Sequence, residues 1–165
     1  MAQTVNYLTE HNLLEYAVLE EKAAAATAHH NELSAKIKVA EKRMAEIAVL
    51  RTHIINYAKT RDTYVAYRKA GYSKKFREEH EEEILLHQAA KNAFDDIGVK
   101  KLPKVKELQA EYARLLEEKK KTYAEYRRSR EEMRELLVAK ANVDRLMGME
   151  EERLKDKDKD QEKNR

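Results

Sequence analysis

The sequence predicts an all-α fold, an elongated antiparallel helical hairpin or three-helix coiled-coil bundle with long helices. Three observations predict it. Across 165 residues there are one proline and three glycines, and no cysteine or tryptophan. Between those breakers the chain is built from strong helix formers, chiefly Ala, Leu, Glu, Lys, Arg and Met. Apolar residues also recur in alternating steps of three and four, the spacing of a coiled-coil seam.

Taken in order, residues 2–11 read as a short helix, with Asn12 a left-handed C-terminal residue before Leu13 and Leu14. A long helix over 14–70 follows, without Gly or Pro. Its stripe is Leu19, Ala23, Ala26, Leu33, Ile37, Ala40, Met44, Ile47, Leu50, Ile54, Tyr57 and Tyr64, with His30 in the one polar slot. From Met44 to Leu50 two three-residue steps fall together, a stammer that overwinds a supercoil locally. Gly71 ends this helix and Ser73 caps the next, over 74–97, with a stripe of Phe76, Ile84, His87 or Gln88, Ala90 or Lys91, and Phe94. Gly98 stops it. Pro103 then takes the first position of a third helix over 103–147, where its missing N–H costs nothing. That seam begins Val105, Leu108, Tyr112, Leu115 and turns polar between Lys119 and Ser129. Residues 1–149 thus read as one elongated helical domain. Residues 150–165, with Lys and Asp alternating from Lys155 to Asp160, read as a charged, disordered or frayed tail.

Short connections imply antiparallel neighbours. By count, the second helix covers the first back to about residue 46, and the third returns to draw level with Gly71 near residues 127–130. The first helix then overhangs from residue 14 to about 45 with an uncovered apolar stripe, which calls for a homodimer through residues 14–47. A kink near residues 29–34 that folds the helix back on itself is the competing solution.

Composition narrows the function classes. Charged residues are 39% and apolar residues 42% of the chain, and 34 basic residues against 31 acidic ones give a net charge of only +3. Attraction to nucleic acid would therefore have to be local. No apolar run approaches the roughly 18 residues of a membrane span. The lack of cysteine and of a signal-peptide pattern fits the cytoplasm.

The cations do cluster. Lys59, Arg61, Arg68, Lys69, Lys74, Lys75 and Arg77 stand against one acid, Asp62, with Tyr64, Tyr67, Tyr72 and Phe76 between them. Lys74, Lys75 and Arg77 open a helix, where the macrodipole disfavours cations and favours an anion. The count brings Arg127, Arg128 and Arg130 to the same end. A phosphate-backbone site on DNA is the functional reading of Arg68, Lys69, Lys74, Lys75, Arg77, Arg127, Arg128 and Arg130, with aromatic stacking on single strands as one form of it. A solvated charged turn, damped by Glu78, Glu79, Glu131 and Glu132, is the plain one. His80, Glu83 and His87, three and four residues apart, could share a helix face, but the histidines do not have the His-Glu-x-x-His spacing of zinc proteases, and His29 and His30 are adjacent. No metal, cofactor or catalytic constellation is expected.

Residues 57–84, Tyr-Ala-Lys-Thr-Arg-Asp-Thr-Tyr-Val-Ala-Tyr-Arg-Lys-Ala-Gly-Tyr-Ser-Lys-Lys-Phe-Arg-Glu-Glu-His-Glu-Glu-Glu-Ile, resemble the C-terminal helical region of relaxases from mobile elements of Firmicutes, also called mobilization nucleases. Residues 6–16, 87–94, 101–104 and 126–133 are similar too, so the resemblance reaches to about residue 149. It implies a parent protein whose nuclease domain nicks one strand at a transfer origin, using a tyrosine and a histidine-ligated metal. The family's His-x-His motif is absent here, so none of that chemistry passes to any residue of this chain. What passes is the expectation of a non-catalytic accessory module that contacts DNA or relaxosome proteins during conjugative mobilization. The alternative is a purely structural coiled-coil module that dimerises its parent.

Overall fold

Absence of breakers lets a helix propagate until something stops it, and here the stops are few. The computed structural model describes the backbone of residues 2–164 and the side chains of residues 15–149 and 151–164. Among the described residues there are four helices and no strand: α1 (Ala2–Lys69), α2 (Lys74–Glu79), α3 (Glu81–Ile97) and α4 (Val105–Lys163). The all-α expectation with long helices holds.

Three element boundaries differ from expectation. α1 passes through Asn12 without a break; a lone Asn among helix formers is a weak stop. The expected helix over 74–97 is divided at His80, where φ is −127°. Hydrogen bonds from His80 N to Phe76 O and from Ile84 N to His80 O carry the chain across that joint. The bend lets Phe76 lie on Tyr67, with ring centroids 6.1 Å apart. α4 also continues through the charged tail to Lys163, with every described residue from 151 onward exposed. Alternating Lys and Asp sets opposite charges three residues apart but like charges four apart, so charge pairing does not by itself account for this helix, which buries nothing.

The chain divides into two compact units, residues 38–120 forming one and the segments up to 37 and from 121 the other. In the 38–120 unit the core is Ile47, Leu50, Ala90, Phe94 and Leu108, with Ile54, Tyr57, Leu102 and Leu115 packed against it. Glu83 of α3 accepts from Thr63, His87 lies on Tyr57, and Phe94 meets His53. Further on, Glu111 of α4 binds Arg43 and Lys119 binds Glu41. Partners on α1 fall steadily in number from α3 into α4, so both run antiparallel to α1, one after the other.

This corrects the expected return of the third helix toward Gly71. The connector at 98–104 does not reverse the chain. Gly98, left-handed at φ +72°, closes a Schellman cap in which its N–H reaches Asp95 O and that of Val99 reaches Phe94 O. Leu102 then packs into the core and holds the connector against α1, so α4 starts where α3 stops.

In the other unit Ala23 and Leu33 of α1 and Ser129 of α4 are buried. His30 stacks on Tyr126 at 4.6 Å, and Tyr16 donates to Asp144. These two segments are antiparallel as well. Among the described residues the stripe expected to need a second copy or a kink at 29–34 meets the chain's own α4 within each unit, and α1 runs unbroken through 29–34. That premise for a homodimer falls.

Candidate nucleic-acid interface

α1 ends on a backbone device set by one glycine. Gly71 is left-handed at φ +65°; its N–H reaches Arg68 O and that of Tyr72 reaches Tyr67 O, a Schellman cap. Tyr72 is also left-handed, at φ +59°, and is the only non-glycine with positive φ among the described residues. For a residue with a Cβ this conformation costs about 1–2 kcal/mol. Ser73 then caps α2 by accepting from Phe76 N at 3.4 Å.

An aromatic array braces the turn from beneath. Tyr67, 7% exposed, meets Tyr72 edge-on at 5.3 Å and stacks on Phe76, which in turn packs on His80 at 4.5 Å. Farther along, the His87 ring is held between Tyr57 at 4.6 Å and Tyr64 at 4.3 Å. The Thr60 hydroxyl donates to Asn56 O, so its oxygen accepts from His87 Nδ1 at 3.1 Å. Burial, with Lys91 nearby, holds the His87 pKa below its ordinary value. His80 and His87 are thus occupied by aromatic neighbours, and no group of three His, Cys, Asp or Glu among the described residues is placed to hold a metal.

Over this apolar brace lie the cations. Arg68, Lys69, Lys74, Lys75 and Arg77 are all exposed, and among the described residues none makes an ion pair. Arg68 and Lys69 occupy the last turn of α1, where the helix dipole favours them. Lys74 and Lys75 open α2, but that helix has six residues, too few to provide the N-terminal anion site expected there. What the turn offers an anion is side-chain charge. Tyr72 is visible in the sequence among the interleaved aromatics, yet its placement at the tip follows only from the two consecutive left-handed residues.

Arg127, Arg128 and Arg130 fall in the other compact unit, not in the one that carries the Gly71 turn. They belong to α4 where Tyr126 stacks on His30. All three are exposed, and Arg127 sits over the Tyr123 ring at 4.9 Å, while Tyr123 stacks on Tyr126. Beneath them Ser129 Oγ and His30 Nδ1 are buried without a hydrogen-bond partner. They form a second cationic and aromatic patch.

Among the described residues no helix is long and apolar enough to cross a membrane. No family model matches the chain, and no curated protein or solved structure matches it either.

Proposed function

We propose that this chain is a non-catalytic helical module that docks on the phosphate backbone of DNA through the Gly71 turn. The observation that supports this best is the unpaired state of Arg68, Lys69, Lys74, Lys75 and Arg77 at one turn of the 38–120 unit. Cations gathered without carboxylate partners repel one another, and an anionic polymer relieves that repulsion. The resemblance of residues 57–84 to the helical region of mobilization relaxases agrees with this reading. On it, the module would help assemble a nicking complex whose chemistry lies in another domain.

Binding of labelled oligonucleotides at low salt tests the proposal. Affinity should fall with salt by roughly 0.7–0.9 log units per phosphate contact for each log unit of salt. Lys74→Gln combined with Lys75→Gln should weaken binding equally for every sequence, because backbone contacts position without reading bases. Arg127, Arg128 and Arg130, changed to Gln, report whether the second patch adds to it. Failure of the wild-type chain to bind, or indifference to the Lys74 and Lys75 changes, leaves the structural-scaffold reading in its place.

A further inference from the structure

The backbone at Tyr72 is costly, and the cap that ends α1 does not require it. The two Schellman caps of the 38–120 unit provide an internal comparison. At the end of α3 the residue after the glycine is Val99, which lacks positive φ and is half-buried. At the end of α1 the equivalent residue is Tyr72, which is left-handed and 57% exposed. Glycine or asparagine would take the second left-handed position at lower cost. A large aromatic ring stands there instead, more than half exposed to water.

The surroundings show what that ring is arranged to meet. It meets Tyr67 in a T-shaped contact with centroids 5.3 Å apart, and Tyr67 in turn stacks on Phe76, so one side of the Tyr72 ring is steadied by packing. The residues on either side along the turn are Arg68, Lys69, Lys74 and Lys75, all exposed and unpaired. A π-face flanked by cations is the arrangement that holds an unpaired base next to its own phosphates. A duplex keeps its base faces stacked inside and offers such a turn phosphates and groove edges, but no free base face.

We infer that Tyr72 is a base-stacking platform and that the Gly71 turn binds single-stranded nucleic acid in preference to duplex. This rests on the phosphate-docking reading above and adds the form of the ligand. Lys74 and Lys75 supply affinity for any strand, and Tyr72 supplies the preference for an unpaired one.

The test uses the full chain with two labelled probes, an oligothymidine of about 12 nucleotides and a duplex of similar length. The wild-type chain should bind the single strand more tightly. Tyr72→Gly should weaken single-strand binding by roughly 5- to 150-fold, the range one stacked base contributes, and leave duplex binding within about twofold. Glycine relieves the backbone strain and gives up the Tyr67 contact, effects of similar size, so the same variant should melt close to the wild-type temperature, which separates lost stacking from lost folding. Tyr72→Phe keeps the ring and should retain the preference. Equal weakening of both probes by Tyr72→Gly, or of neither, overturns the inference while phosphate docking stands if the Lys74 and Lys75 changes still weaken both. Absence of binding to either probe removes both readings.

Discussion

Arg43 and Glu111 meet as a two-pronged ion pair, Nε to Oε1 at 2.8 Å and Nη2 to Oε2 at 3.1 Å. The fork needs both planes aligned, so it fixes the register of α4 against α1 in the 38–120 unit. The Arg43 side chain is 42% exposed and that of Glu111 29%, so water screens much of the attraction. A double-mutant cycle with Arg43→Ala and Glu111→Ala should return a coupling of about 0.5–1 kcal/mol, reduced further in salt. The pair holds the Glu111 carboxyl below its ordinary value. Its contribution is therefore complete above about pH 4.5 and lost as pH falls through the lowered folded value.

His87 gives a separate dependence at higher pH. Only 4% exposed, it is held neutral by burial, with Lys91 adding to the effect. The unfolded chain binds a proton more readily than the folded one, so stability is full above about pH 6.5 and declines as pH falls toward the lowered folded value. Melting temperature should drop as pH is lowered from about 7.5 to about 5.5. His87→Phe, which keeps a ring between Tyr57 and Tyr64, should flatten that slope.

Core truncation should separate packed positions from merely apolar ones. Ile47, 1% exposed, touches the cluster formed with Leu50, Ala90, Phe94 and Leu108. Ile47→Ala should lose about 2–5 kcal/mol in denaturant titration. Val39, 69% exposed, should lose almost nothing on the same change.

The glycines should respond with opposite signs. Gly98 has open space where a Cβ would stand but sits at φ +72°, so Gly98→Ala should destabilise by about 1 kcal/mol through backbone strain alone. Gly148 lies inside α4 with equally open space and no positive φ. Gly148→Ala should stabilise by about 0.5–1 kcal/mol. Thermal melts of the two variants decide it.

The seams are legible in the sequence because burial follows helical periodicity. Leu33, Met44, Ile47, Leu50, Ile84, Phe94 and Leu108 all lie on the expected stripes and are all buried. Thr60 and Tyr67 are buried too but fall outside the expected stripe, although steps of three and four from Tyr57 lead to both; a polar or amphipathic side chain hides a seam position. The direction of α4 is not legible. A connector of seven residues permits either reversal or continuation, and Leu102, which decides between them, does so only through contact with residues about 50 positions away in the chain. The cationic segment is readable as composition, but which cations share a turn depends on that same direction. Helix lengths alone therefore give the wrong direction for the start of α4, from Leu108 to Lys119.

The connector that joins α3 to α4 carries Lys100 and Lys101 in full view of solvent, and its two flanking helices lean on the same stretch of α1 through Phe94 and Leu108. α1 therefore acts as a splint across that joint. A cut after either lysine should therefore leave the two pieces together, since each packs on the unbroken helix opposite. Within this unit the peptide link between the two helices serves chiefly to raise the local concentration of one beside the other.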